Sequence, residues 1–145
     1  MAKVKSSPFR LNQVTVQRFS IERNPNKQGK FNIKIHPSGF VNKADHTFLL
    51  VLDIQLFDSE DSYKIDMNVF GHFEFKEIDD EDSLNSFFYT NAPALVFPYI
   101  RSYVSAVSAL SGLESIQLPV MNLSSLKNEL KNNITDITND QQLLN

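Results

Sequence analysis

The chain has 145 residues, 14 Lys and Arg against 17 Asp and Glu, a formal charge of −3 and no Cys. That length fits one domain with a modest core, and 41% hydrophobic against 21% charged residues is a folding composition rather than a disordered one. Mild acidity argues against nucleic-acid binding, which needs surplus Lys and Arg on one face. The missing Cys excludes disulfides, thiolate chemistry and Cys-based zinc sites.

Lys3 and Lys5 lead into no apolar run of secretory length. The longest apolar run, residues 48–52, falls far short of the roughly 20 residues a bilayer span takes. A cytoplasmic location without membrane insertion is therefore expected. Residues 1–12 are expected to form an N-terminal extension, 13–138 a single domain and 139–145 a flexible tail rich in Asn and Gln.

The first half reads as four strands. Val14 and Val16 alternate with polar neighbours, and Phe19 and Ile21 continue on the opposite parity, which predicts a bulge near Arg18. Asn24, Pro25 and Gly29 mark a turn. Phe31, Ile33 and Ile35 form a short strand that His36-Pro37-Ser38-Gly39 should end, with Phe40 and Val41 restarting it. In residues 46–57, Phe48, Leu50, Leu52, Ile54 and Leu56 line one face. Leu49 and Val51 extend apolarity to the other face until Asp53 and Gln55 restore polarity, so that end should be covered on both sides. A polar loop at 58–62 follows. Then Tyr63, Ile65, Met67, Val69, Gly71, Phe73 and Phe75 alternate with mostly polar residues, the pattern of a one-sided antiparallel strand.

Residues 77–82 hold five acids and read as a solvated linker. Beyond it the pattern turns helical. Val96, Phe97, Ile100, Tyr103, Val104, Val107 and Leu110 form a stripe over residues 93–111, with Pro98 as a start or a kink and Gly112 as a stop. The other face carries Ser102, Ser105, Ala106, Ser108 and Ala109, small residues that suit contact with another helix. Leu113, Ile116, Leu118 and Val120 make an apolar loop around Pro119, unusual because loops normally run polar over the surface. Asn122 should cap a second helix carrying Leu123, Leu126, Leu130, Ile134 and Ile137. Strands followed by helices predict an α+β fold, one four-stranded antiparallel sheet and then two helices.

Catalytic constellations are scarce. Of the three His, only His72 has a plausible acid/base partner, Glu74 on the same strand face, and a mixed polar face explains both. Four Gly cannot write a phosphate-cradling loop or a dinucleotide fingerprint, and the acidic clusters lack the spacing of a calcium loop. No enzyme, cofactor or metal is expected. What stands out is apolar surplus. Twelve Phe, among them Phe19, Phe40, Phe57, Phe70, Phe87, Phe88 and Phe97, together with the apolar loop, exceed what one sheet and two helices need to cover. With the small-residue helix face, they predict oligomerisation and an exposed apolar groove.

One stretch is specific. Phe97-Pro98-Tyr99 with Arg101, Gly112 a dozen residues on, and Leu118-Pro119-Val120 followed by Asn122 resemble the SecB family of bacterial export chaperones. The resemblance spans roughly residues 13–135. It implies a homotetramer built as a dimer of dimers, with the first helices layered between sheets through Ser102, Ser105, Ala106 and Ala109. It also implies an ATP-independent holdase that keeps unfolded secretory preproteins from folding and passes them to the SecA motor. The client groove is expected at Phe97, Leu113, Ile116, Leu118 and Val120 with the sheet aromatics Phe19 and Phe40. By position, Glu22 and Asp66 correspond to acids through which the family docks the motor, whereas Arg18 and Lys64 stand near others. The family's acidic tail is replaced here by an uncharged run after Asp140. The alternative reading is a SecB-like chaperone dedicated to one partner, such as the antitoxin of a toxin–antitoxin module. A small-molecule carrier is a third class, and it would be a monomer with a closed cavity.

Overall fold

The computed structural model describes residues 8–24, 31–60, 62–76, 85–112 and 114–139. Its sheet is built from β1 (Phe9–Arg23), β2 (Phe31–Asn42), β3 (Thr47–Asp58), β4 (Tyr63–Phe75) and β5 (Ile134–Asp136). The strand order is β1-β4-β3-β2-β5. The first four strands pair antiparallel, as expected, and a short fifth strand adds to β2 in parallel. A π-helical turn (Asn85–Asn91) runs directly into α1 (Ala92–Leu110), and α2 (Leu126–Asn132) precedes β5.

The alternation in β3 and β4 sets which face is the core. Leu50, Leu52, Ile54 and Leu56 pair across the ladder with Gly71, Val69, Met67 and Ile65, and all of these side chains face the helices and are buried. The predicted parity flip in β1 is a register shift between Val16 and Arg18, and a second one lies between Leu11 and Gln13. Each inserts one residue, so Val14 and Val16 and then Phe19 and Ile21 can all point inward. Residues 9–12, expected in an extension, belong to β1. Phe9 is buried and stacks on Phe73 at 4.7 Å, while Phe48 stacks on Phe88 at 4.5 Å. This aromatic cluster absorbs part of the Phe surplus.

Three expectations need correction. First, β2 runs straight through His36-Pro37-Ser38-Gly39 instead of turning. The Pro37 carbonyl accepts a bond from Asn133 Nδ2 at 3.3 Å, on the side away from β3, so the missing Pro37 N–H lies on that same side and costs no ladder bond. Second, the outer face of β3 is not covered: Leu49 and Val51 are half-exposed there, beside Phe40 and Phe70. Third, the second helix ends at Asn132, and Ile134 lies in a strand. A seven-residue helix is marginal on its own, whereas the edge of β2 offers ladder bonds from Gly39 N to Asn133 O and from Ile137 N to Val41 O.

Two glycines let the layers close. A Cβ on Gly71 would stand 2.6 Å from Val96 Cγ2, so only glycine lets α1 settle at that depth on β4. A Cβ on Gly39 would stand 2.7 Å from both Ile134 Cδ1 and the Phe48 ring. Gly112 has φ +84° and stops α1, as its position predicted.

Candidate functional site

The groove worth attention lies along the first half of α1. Pro98 sits inside that helix and has no N–H for the carbonyl of Ala94, yet the helix runs on through it. Opposite, after Gly112, residues 114–123 pass back along α1 without regular secondary structure, and a turn at residues 124–125 leads into α2. Ser108 fixes this return. Its buried Oγ donates to Val104 O at 2.7 Å and accepts from Ile116 N at 2.8 Å. Ser105 Oγ accepts from Gln117 Nε2 at 3.0 Å, and Arg23 Nη1 ties Glu114 O to the end of β1 at 2.7 Å. In the returning segment Ile116 and Leu118 are buried, whereas Gln117, Pro119 and Val120 are exposed.

Between this segment and α1 opens a hollow of about 310 Å³. Ala94, Phe97, Val120, Met121 and Leu123 give it apolar walls, and Thr90, Arg101, Asn122 and Ser124 a few polar groups. Val120 is 86% exposed. Arg101 is the one cation lining this hollow, and its Nε is buried without a hydrogen-bond partner.

The structure does not gather the seven expected groove residues. Phe97 and Val120 face this hollow. Ile116 and Leu118 are buried, Ile116 beside the Ser108 hydroxyl that accepts its N–H. Phe19 lies at the edge of the helix-covered face, its ring edge-on to Tyr103 at 5.1 Å. Phe40 is on the opposite face of the sheet, in a second hollow of about 470 Å³ with Leu49 and His72. Leu113 lies outside the described residues, as do the acidic linker at 77–82 and the tail from 140 onward.

Other candidates are placed as follows. Ser102, Ala106 and Ala109 are exposed on α1, continuing a stripe with Leu95 and Tyr99, whereas Ser105 is half-buried and engaged by its own chain. Ser108, read as part of that small-residue face, is instead the latch for the returning segment. Nothing in its sequence context separated it from its neighbours. Glu22 and Asp66 share the outer sheet face at one end, Glu22 paired across the ladder with Lys64, whose Nζ lies 3.9 Å from Asp66. His72 and Glu74 do not form a pair: Glu74 binds Arg10 at 2.7 Å and His72 sits 3.4 Å from Thr15 Oγ1. Among the described residues no cluster of His, Cys, Asp and Glu is arranged to hold a metal, and no helix is long and apolar enough to cross a membrane.

Residues 4–133 match the SecB family, described as preprotein translocase subunit SecB. The chain belongs to the SecB family. No curated protein matches it by sequence. Among solved structures, it is similar to a SecB-like chaperone of Mycobacterium tuberculosis in complex with a peptide from the HigA1 antitoxin. That match has a TM-score of 0.65 and 18% identity over 78% of this chain and 90% of the other. A protein of unknown function from Streptococcus agalactiae aligns at 12% identity and a TM-score of 0.43, over 77% of this chain and 97% of the other. Membership and the shared α+β fold support a chaperone role. They leave the choice of client to this chain's own residues.

Proposed function

We propose that this SecB-family chain is an ATP-independent holdase that binds unfolded polypeptides, secretory preproteins foremost, in the hollow between α1 and residues 120–124. The observation that carries this is an open, mostly apolar groove whose floor is helical and whose rim, Val120, stands bare. Non-native chains expose apolar segments, and each Å² they bury is worth roughly 25 cal/mol whatever the sequence. Release then follows from competition by a partner such as SecA rather than from nucleotide hydrolysis.

The working unit is a homotetramer. The exposed stripe of Leu95, Tyr99, Ser102, Ala106 and Ala109 on α1 suits packing against the same helix of another copy, since small residues let backbones approach. Several grooves on one particle raise avidity, because one long client occupies more than one site. The exposed outer edge of β1, 15 residues long, can also pair with extended chain.

The test is suppression of aggregation of a chemically unfolded precursor at stoichiometric tetramer without ATP. Suppression is expected, with a native mass of four chains. Full aggregation, or binding only to folded proteins, would contradict it. A second reading, a chaperone dedicated to one antitoxin, is favoured by the peptide-bound SecB-like relative and by Lys64, which dilutes the acidic end of the outer face. It predicts tight binding of one antitoxin segment and weak binding of unrelated precursors.

A further inference from the structure

We propose that Leu143 and Leu144 dock on the outer face of their own sheet, over Phe40, Leu49, Val51 and Phe70. The proposal goes beyond the holdase reading of the α1 groove and does not depend on it. The outer face is divided in two. Toward the loop between β3 and β4 it carries Asp53, Gln55, Asp66 and Asn68. At the other end Phe40 pairs across the ladder with Leu49, and Val51 with Phe70, and all four are only half-buried. A contiguous apolar patch on an otherwise polar face marks a surface that something covers.

The path of the chain supplies the occupant. Ile137 N donates to Val41 O at 2.8 Å, and the Thr138 hydroxyl accepts from Lys43 N at 3.0 Å. The Ile137 side chain is itself buried, in the wall of the outer hollow with Phe40, Leu49 and His72. These contacts deliver the chain onto the apolar end of the face just before residue 140. Phe70 stands on β4, three strands from β5, which is about 14 Å at roughly 4.8 Å per strand. The six residues from 138 to 143 reach about 20 Å when extended. Gln141-Gln142-Leu143-Leu144-Asn145 bring two apolar side chains and no charged one that docking would strip of water. A tether this short holds its end at an effective concentration of about a millimolar, so a contact too weak to hold a free peptide suffices. The amino-terminal segment enters at the same end, where Lys76 N donates to Pro8 O, but Lys3 and Lys5 make it the poorer match for an apolar patch.

The experiment uses the full chain with isotopically labelled Leu and Val methyls. The sequence has no Cys, so Asn145→Cys carries a single nitroxide. Methyl NMR should show the nitroxide broadening Leu49 and Val51 and sparing Val120. Replacing Leu143 and Leu144 together by Ser, with the nitroxide kept, should restore most of the lost intensity. Broadening that survives both Ser substitutions would mean that the segment merely sweeps past, and would overturn the proposal, as would none at all. Broadening at Val120 in place of Leu49 would put the two leucines in the α1 groove and overturn it. A nitroxide on Ala2→Cys that broadens Leu49 and Val51 where the one at 145 does not would give the face to the amino-terminal segment. In a mixture refolded from nitroxide-bearing and isotope-labelled chains, broadening of equal size would give it to a second copy; either result overturns the proposal. The holdase reading survives each of these outcomes, since its own test is suppression of aggregation.

Discussion

The four long strands and the stretch after Gly112 are made of similar residues but are specified in different ways. In β3 and β4 a period of two repeats over 12 and 13 residues, and every inward side chain meets an inward partner across the ladder. A one-residue slip there would turn the whole apolar set to solvent, so the pattern admits one register. After Gly112 the apolar residues are fewer and no local period commits them. Leu126, Leu130, Ile134 and Ile137 fit a helix by spacing, yet only the first two are helical. The edge of β2 and the bare backbone at Gly39 decide the rest. Local pattern suffices where it is long; where it is short, tertiary partners choose.

Gly71 and Gly39 offer the same substitution in the two regions. Gly71→Ala drives a methyl against Val96, a short branched side chain that moves only if α1 moves. We expect a loss of about 3 kcal/mol, at the upper end for overpacking, seen as one cooperative shift in chemical denaturation. Gly39→Ala presses on the tips of Ile134 and Phe48, which can give way. A loss of about 1 kcal/mol is expected, with hydrogen exchange rising first at Ile134 to Ile137 while the amides of β3 stay protected. Equal exchange in both regions would mean that the C-terminal segment is as firmly specified as the sheet.

Ser108→Ala removes the acceptor of Ile116 N–H and leaves a buried donor unpaired. About 1 kcal/mol of stability should go, and exchange at Ile116 and Leu118 should rise ahead of the rest. A uniform change would show that the return is held by its apolar contacts alone. The smallest effect concerns Asp136, whose carboxyl is held below the ordinary 3.8 by the Thr138 hydroxyl, then by the Thr138 amide, with Lys43 adding to it. A lowered pKa contributes stability above the unfolded value and loses it as pH falls through the folded one. Thr138→Val should therefore raise the Asp136 pKa in an NMR titration. It should loosen the C-terminal segment slightly near neutral pH, and the difference from wild type should shrink in acid to the part that comes from the Lys43 amide, whose hydrogen bond Thr138 Oγ1 also accepts.

What was legible follows the same division. The bulge by Arg18, the one-sided face of β4 and the stop at Gly112 each follow from a local signal with one physical meaning. Pro37 and Gly39 were ambiguous, because a turn and a strand edge both tolerate them, and only the position of Asn133 and Ile134 tells which. The groove was half legible. Phe97 and Val120 stood out by family motif and by apolarity, whereas Ile116 and Leu118 look no different in sequence and are sealed inside.

The measurement that bears most directly on the groove is photo-crosslinking from two positions. A photoreactive residue replaces Val120 at the rim of the α1 hollow or, separately, Leu49 on the outer face of the sheet, and each protein meets a radiolabelled unfolded precursor. The groove assignment predicts crosslinks from position 120 that excess unlabelled precursor abolishes, with little from position 49. Crosslinks from position 49 with none from 120 would contradict it and move the binding surface to the outer face.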